Sequence, residues 1–310
     1  MKTLTRACLL AATAMMAVAA PAHAGYTTTK SPIVLVHGIF GFNNFLGADY
    51  FYGVRDTLAK EGAVVYTSTV SAAGSNENRG EQLRAELKRL RILNNNPTMK
   101  FNLVGHSQGS PTIRYVAAVE PGLVASVTSV GGVNKGSAVA DIVRKVAPAG
   151  TYSESVINSV SNAFAGVLAF ATGSSELPQS SVDALNSLTT PGLAKFNAKY
   201  PAGVPTTSCG GGANVVKNIR YYSWGGSSTV TNVLDPLDAG IGTLGLAFVG
   251  QQSDGLVSAC SQKLGKVLRV DYKMNHLDEV NGFFGIVHLF ETNPKSVYRA
   301  HANRLQVAGL

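Results

Sequence analysis

The stretch that decides the fold is Phe101-Asn102-Leu103-Val104-Gly105-His106-Ser107-Gln108-Gly109. Its first four residues are typical of a buried β-strand, and the run after it, residues 112–118, is compatible with a helix. Between strand and helix, the Gly-x-Ser-x-Gly pattern places Ser107 in a tight turn, where Gly105 and Gly109 have no Cβ to clash with neighbouring backbone. We therefore expect Ser107 to present its hydroxyl above the sheet as a nucleophile.

Short apolar, β-branched runs around this motif indicate a parallel sheet. They lie at residues 33–36, 64–66 and 124–130, and segments with helical periodicity separate them. Leu83, Leu87 and Leu90 share one face of such a helix, which Asn94-Asn95-Asn96-Pro97 ends. This pattern predicts an α/β-hydrolase fold: a mostly parallel central sheet, helices on both faces, and one catalytic domain over residues 25–310.

The N-terminus predicts export. Lys2 and Arg6 precede an apolar run at residues 9–20 and the small-x-small cleavage site Ala22-His23-Ala24. Residues 1–24 therefore have the pattern of a signal peptide, and we expect a protein secreted through the periplasm. No later stretch is apolar for long enough to predict a permanent membrane span. The formal net charge is +8, but the basic residues are scattered, so no nucleic-acid partner is expected.

The cysteines point to one disulfide. Cys8 lies in the predicted signal peptide, which leaves Cys209 and Cys260 as an even pair in an oxidising compartment. We expect these two to be joined, closing a loop of about fifty residues.

The base of a Ser-acid-His triad must follow Ser107 in this fold class, so the candidates are His276, His288 and His301. His301 lies in a predicted surface helix, and His288 lies in an apolar run, residues 283–290, that indicates packing. His276 lies in a polar loop directly after the strand-like residues 267–272, and we favour it for that reason.

The acid should leave a strand end upstream of the base. The segment Gln252-Ser253-Asp254-Gly255-Leu256-Val257 offers Asp254, and the competitors are Asp235, Asp238 and Asp271. We favour Asp254.

An oxyanion hole needs two N–H donors. The elbow supplies the amide of Gln108, and the turn His37-Gly38-Ile39-Phe40-Gly41 after the first strand offers the amide of Ile39.

Residues 152–171 are almost free of charge and carry apolar side chains at helical spacing. This segment predicts either a mobile lid, over about residues 141–180, or an ordinary half-buried helix.

Seven stretches occur in a characteristic order along the chain: Val36-His37-Gly38, residues 102–109, Phe196-Asn197-Ala198-Lys199-Tyr200-Pro201, Tyr221-Tyr222-Ser223-Trp224, Asp254-Gly255-Leu256-Val257, Asn275-His276-Leu277-Asp278-Glu279 and Ala302-Asn303-Arg304-Leu305. In these stretches the chain resembles the secreted triacylglycerol lipases of the Pseudomonas and Burkholderia type, the true bacterial lipases of family I. The resemblance runs from Tyr26 to the C-terminus.

The resemblance implies the triad Ser107, Asp254 and His276, an oxyanion hole from Ile39 and Gln108, and a Cys209–Cys260 disulfide. It further implies one structural calcium ion, held by the carboxylates of Asp235 and Asp278 and the backbone carbonyls of Gly282 and Ile286. A lipase-specific foldase is the implied partner.

The chain departs from the family's usual residues at three places. Gly282 stands where glutamine is usual, Val133-Asn134-Lys135 replaces a Pro-His pattern, and Ser110 replaces a third glycine after the elbow. The glycine gives the proposed calcium loop added backbone freedom.

Together these features predict a monomeric, secreted triacylglycerol lipase that acts on lipid esters at a lipid–water interface. Two alternatives remain: a carboxylesterase for short soluble esters, and a non-catalytic lipid-binding protein that keeps the fold.

Overall fold

The structure is a computed structural model that describes residues 25–39, 41, 49–172, 179–282 and 284–310. The predicted signal peptide, with Cys8, lies outside the described residues, as do residues 173–178 of the predicted lid.

In the described part of the chain, seven strands form one sheet in the order β2-β1-β3-β4-β6, with β5 and β7 both paired to β6. Their bounds are β1 Ile33–Val36, β2 Val65–Thr67, β3 Phe101–His106, β4 Val124–Val130, β5 Val215–Val216, β6 Ile219–Gly226 and β7 Lys266–Tyr272. All pairs are parallel except β5 with β6. The predicted, mostly parallel sheet is confirmed, and β6 is a central strand that the apolar runs did not indicate.

Helices cover both faces of this sheet. The helices are α1 Val54–Ala59, α2 Asn76–Leu93, α3 Gly109–Val119, α4 Ala138–Val143, α5 Glu154–Thr172, α6 Gln179–Leu188, α7 Thr190–Lys199, α8 Asp238–Leu244 and α9 Pro294–Val307. Side chains of α2 and α3 pack with Val34 and Val36 of β1 on one face. Those of α1 and α9 pack with Ile33 and Leu35 on the other. The two-residue period of a strand directs alternate β1 side chains to opposite layers, so both faces need helices.

The helix α2 ends where the sequence predicts, and its N-terminus is capped by a side chain. The Ser75 side chain accepts a hydrogen bond from the backbone N–H of Asn78, which satisfies a free donor at the N-terminus. Asn94 follows the last helical residue. Leu83 and Leu87 are fully buried.

Helices α4, α5 and α8 form a separate apolar layer at the carboxyl end of the sheet. Val160 and Phe164 of α5 pack there with Ile241 and Leu244 of α8. None of the helices in the described ranges is long and apolar enough to cross a membrane.

The C-terminal segment forms the expected surface helix, α9, but His301 lies on its buried face: it is only 3% exposed, and its Nε2 lies 2.7 Å from the hydroxyl of Thr128. It shares the inward face of α9 with Val297 and Leu305, at helical spacing. Residues 283–290 were expected to pack inside, but Leu289 and Phe290 are 78% and 92% exposed.

Candidate active site

Ser107 lies in a strained turn between β3 and α3. Its φ of 55° is in the left-handed region, which side chains with a Cβ rarely adopt. A Cβ at Gly105 would overlap the carbonyl of Gly109, and one at Gly109 would overlap that of Val36. The backbone therefore tolerates only glycine on both sides of the serine, and the predicted nucleophile elbow is confirmed as geometry.

The turn after β1 lies directly against this serine. A Cβ at Gly38 would stand 2.7 Å from Cβ and 3.2 Å from Oγ of Ser107. Ile39 lines the same cavity as Ser107. The structure thus brings the turn that carries the Ile39 amide to the elbow that carries the Gln108 amide, as an oxyanion hole requires.

His276 and Asp254 form a buried pair. Nδ1 of His276 lies 2.8 Å from Oδ2 of Asp254, and the two side chains are 4% and 0% exposed. The backbone N–H of His276 also donates to the carbonyl of Asp254, at 2.9 Å. An imidazole whose Nδ1–H donates to a carboxylate keeps Nε2 as an acceptor. Ser107 and His276 line one cavity, so the three predicted triad residues meet at one place.

The carboxylate of Asp254 is held by several donors. Oδ1 accepts from the backbone N–H groups of Leu256, at 2.9 Å, and Val257, at 2.7 Å. Oδ2 accepts from the side-chain amide of Gln262, at 2.9 Å. The sequence expectation that this acid follows a strand is wrong, because Asp254 lies in a loop between α8 and β7, joined only by an isolated bridge of Ser253 with Ser258.

The competing acids and histidines lie elsewhere. Asp271 is paired with Arg269 at the surface, and Asp238 accepts hydrogen bonds from the backbone N–H groups of Thr231 and Asn232. His301 is bound to Thr128. None of these pairs includes Ser107.

The cavity above Ser107 is almost entirely apolar and has a volume of about 120 Å³. Its walls come from the turn after β1, Tyr50, the elbow, the loop after β4, helices α4, α5 and α6, and the two loops that carry the acid and the base. Apolar side chains lining it include Val139, Ala140, Phe164, Val167, Leu168, Leu185, Leu188, Leu256 and Leu277. Helix α5 therefore lines the cavity above the nucleophile with its apolar side chains. Such a wall suits the hydrocarbon chain of an ester.

A buried polar cluster behind the triad was missed by the sequence analysis. Nε2 of His106 lies 2.9 Å from the carbonyl of His276 and 3.2 Å from Oε2 of Glu279. Glu279 also accepts from the N–H of Gly226, at 2.6 Å. Burial, together with the charge of Asp254, raises the pKa of Glu279 well above its ordinary value. His106, as a variable position of the elbow pattern, carried no signal of this role.

A second missed residue is Arg79 of α2, whose side chain is fully buried. It donates to the carbonyl of His37 at 2.5 Å, and also to the carbonyl of Ser71 and, at 3.3 Å, to the hydroxyl of Thr112. These bonds tie the start of the oxyanion turn to α2 and α3.

The expected disulfide is present. Cys209 and Cys260 are joined, and they are 51 positions apart in the sequence. Because Cys260 lies in the loop between Asp254 and Gln262, the bond ties the acid's loop to the segment before β5.

The four predicted calcium ligands lie where two loops meet. Asp235 is 4% and Asp278 0% exposed, yet Oδ2 of Asp235 and Oδ1 of Asp278 have no hydrogen-bond partner among the described residues. A Cβ at Gly282 would stand 2.7 Å from the carbonyl of Ile286 and 3.5 Å from that free Asp278 oxygen.

Burial raises the pKa of Asp278 to about 7, and burial also raises the pKa of Asp235. Unpartnered buried carboxylate oxygens next to a carbonyl are a donor set that fits a hard divalent cation. Gly282 has a φ of 58°, a conformation that favours glycine over the glutamine usual in the family.

The sheet order and the serine elbow define the chain as an α/β hydrolase, and a family model described as the alpha/beta hydrolase fold matches residues 31–279. Triacylglycerol lipase of Vibrio cholerae serotype O1 is 54% identical over 286 residues, covering 92% of this chain and 91% of that protein. Triacylglycerol lipase of Pseudomonas fragi is 40% identical, covering 91% of this chain and 98% of that protein. Triacylglycerol lipase of Burkholderia plantarii is 36% identical, covering 92% of this chain and 88% of that protein. The chain therefore belongs to the bacterial triacylglycerol lipase family, and the predicted resemblance is confirmed.

Solved structures agree with this fold. The lipase of Staphylococcus hyicus has a TM-score of 0.60 at 16% identity and covers 90% of this chain and 97% of its own. The mature Bacillus licheniformis lipase BlEst2 has the same TM-score, at 16% identity, over 93% and 95%. At this identity the two neighbours support the fold alone.

Proposed function

We propose that the chain is a triacylglycerol lipase that hydrolyses carboxylic ester bonds of lipids through an acyl-enzyme on Ser107. The observation that carries the proposal is the apolar cavity in which Ser107 and His276 lie together, with Asp254 bonded to His276. The names of the relatives supply the substrate class.

The chemistry proceeds in two half-reactions. Nε2 of His276 takes the proton of Ser107 as Oγ attacks the carbonyl carbon, and the amides of Ile39 and Gln108 stabilise the oxyanion. The bond to the alcohol then breaks, and His276 returns its proton to the leaving oxygen. A water molecule, deprotonated by His276, attacks the acyl carbon, releases the fatty acid and restores Ser107. Asp254 keeps the imidazole in the required tautomer throughout.

Helix α5 supports action at a lipid surface. Its Phe164, Val167 and Leu168 line the cavity, which has a volume of only about 120 Å³ in this structure. We propose that α5 is the lid and moves aside at an interface, where its apolar face gains a lipid partner. Equal specific activity on dissolved and emulsified ester would contradict this proposal.

A calcium ion is the proposed structural cofactor. The carboxylates of Asp235 and Asp278 and the carbonyls of Gly282 and Ile286 would hold it, and the ion would supply the positive charge that these buried acids lack. Asp278 follows His276 by two residues, so the site would fix the loop that carries the base rather than take part in the chemistry.

Export and assembly remain proposals that rest on the leader pattern and the family. We propose that residues 1–24 direct secretion through the periplasm, that a lipase-specific foldase assists folding, and that the mature enzyme acts as a monomer. Mass spectrometry of the secreted protein should find an N-terminus at Gly25, and a retained leader would contradict the first point.

The experiment that tests the function compares emulsified triolein with dissolved p-nitrophenyl butyrate. The mature wild type should hydrolyse both, and Ser107→Ala should hydrolyse neither. Ser296→Ala serves as the control, because Ser296 is exposed on α9, far from the elbow in sequence and outside the cavity lining. Cleavage of the soluble ester alone would make the protein an esterase, and no cleavage by folded wild type would favour a lipid-binding protein.

A further inference from the structure

The hydroxyl of Tyr50 lies between two parts of the site that the mechanism needs together. It is 3.2 Å from the backbone nitrogen of Gly38, in the oxyanion turn, and 2.7 Å from Nδ1 of His106, in the elbow. Tyr50 also lines the cavity with Ser107. Neither the Gly-x-Ser-x-Gly pattern nor the triad accounts for this residue.

The directions of these hydrogen bonds follow from the neighbours of His106. Burial lowers the pKa of His106 well below its ordinary value, so the ring is neutral and carries one hydrogen. Nε2 lies 2.9 Å from the carbonyl of His276, which can only accept, and 3.2 Å from the carboxyl oxygen Oε2 of Glu279. The hydrogen is therefore on Nε2, Nδ1 is an acceptor, and the Tyr50 hydroxyl donates to it. The Tyr50 oxygen in turn accepts the N–H of Gly38.

We propose that Tyr50 is a positioning residue, whose hydroxyl links the oxyanion turn through His106 to the backbone of His276. This inference rests on the proposed function, since it concerns how the oxyanion hole of that reaction is held. One continuous chain of hydrogen bonds then runs from Gly38, the residue before the oxyanion donor Ile39, through Tyr50 and His106 to the backbone carbonyl of His276.

The turn needs such a link because of its glycine. The amide proposed to stabilise the oxyanion belongs to Ile39, and its direction depends on the backbone angles of Gly38, the residue with the widest conformational freedom. No residue with a side chain fits at this position, because a Cβ at Gly38 would lie 2.7 Å from Cβ of Ser107 and 2.9 Å from the Tyr50 hydroxyl. The hydrogen bond from the N–H of Gly38 to Tyr50 holds the peptide bond before Gly38 in place, and so limits the Gly38 backbone angles that set where the Ile39 amide points.

The test is Tyr50→Phe, assayed on dissolved p-nitrophenyl butyrate with concentrations set by active-site titration. Removing an oxyanion donor outright costs about 10²–10³ in kcat, and loosening one should cost less, so we expect about a tenfold loss of kcat with KM unchanged. The rate of inactivation by a phosphonate ester, whose adduct also needs the oxyanion hole, should fall by the same factor. Tyr52→Phe is the matched control, because it removes a phenolic hydroxyl two residues away for which the described residues offer no hydrogen bond.

A second measurement uses the wild type and does not depend on how the variant folds. Nitrogen-15 NMR of labelled histidine should find His106 as the Nε2–H tautomer. Three results would overturn the proposal. The first is an Nδ1–H tautomer of His106, and the second is an unchanged kcat of Tyr50→Phe. The third is a rise in KM alone in Tyr50→Phe, which would make Tyr50 a substrate contact. Failure of the wild type on both esters would instead refute the proposed function, so the two failures are distinguishable.

Discussion

Removing the disulfide gives the prediction with the best-defined magnitude. Cys209 and Cys260 are 51 residues apart, and the chain-entropy model assigns a loop of that length about 14 cal/mol/K of lost entropy in the unfolded chain, or about 4 kcal/mol at 25 °C. We expect the double variant Cys209→Ser/Cys260→Ser to lose about this much free energy of unfolding. For the proposed mature chain, residues 25–310, the unfolding entropy is about 0.6 kcal/mol/K, so Tm should fall by about 7 °C.

The activity of this variant should change far less than its stability. The carboxylate of Asp254 is held by the N–H groups of Leu256 and Val257 and by the amide of Gln262, none of which involves sulfur. We therefore expect unchanged kcat on a soluble ester at temperatures where the variant stays folded.

The assay is guanidinium unfolding followed by circular dichroism, with and without a thiol reductant. With the reductant, the unfolding midpoint of wild type should fall to that of the double variant. The midpoint of the double variant should be the same with and without the reductant. A loss below about 1 kcal/mol would refute the loop-entropy reasoning for this chain, and a loss of kcat in the folded variant would refute the separation of stability from catalysis.

Three further predictions concern the site and its surroundings. Asp254→Asn should lower kcat on the order of ten-thousandfold, because the amide NH₂ would face His276 and favour the wrong tautomer; a tenfold loss or less would contradict the assigned acid. Calcium at about 100 times its Kd should stabilise wild type by about 2.7 kcal/mol but not Asp235→Asn, and equal Tm shifts in calcium titrations of both would exclude this site. Burial lowers the pKa of His37 to about 4 and that of His301 to about 3, from 6.5. The unfolded chain therefore binds more protons at low pH, and each imidazole should remove about 2 kcal/mol of stability between pH 7.5 and pH 5. Urea unfolding of His301→Gln should show a shallower pH dependence than wild type, and identical slopes would contradict it.

The sequence predicted the parts of the fold that local chemistry determines. Apolar, β-branched runs located β1, β3 and β4, and the glycines of the elbow fixed the place of Ser107, because each of these features depends on residues close together in the chain. The helical spacing of residues 297, 298, 301, 302 and 305 also contained the information that His301 is buried. The expectation of a surface helix gave more weight to the charged residues between them.

The residues that hold the triad could not be found in this way. Tyr50, His106 and Glu279 are far apart in sequence and meet only when β3 and the loop after β7 come together. Asp254 was favoured because the acid was expected to follow a strand, but it follows none. The structure nevertheless places its carboxylate beside His276. Unlike His301 on its helix, a buried polar side chain in a loop or at the end of a strand gives no periodic signal that separates it from a surface one.

The site is held by two different means, and the sheet accounts for only one. The oxyanion turn, Ser107 and His276 all follow parallel strands, β1, β3 and β7, whose carboxyl ends meet at one edge, so the fold itself brings them together. Their fine orientation is not set by the strands, because each lies in a turn or loop beyond the last strand residue. Buried hydrogen bonds from Tyr50 and Arg79 cross between these loops. Since an unpaired buried polar group costs about 1–3 kcal/mol, a displaced loop would leave several such groups without partners. The long-range hydrogen bonds, which the sequence alone does not reveal, therefore stabilise the active arrangement of the loops relative to a displaced one.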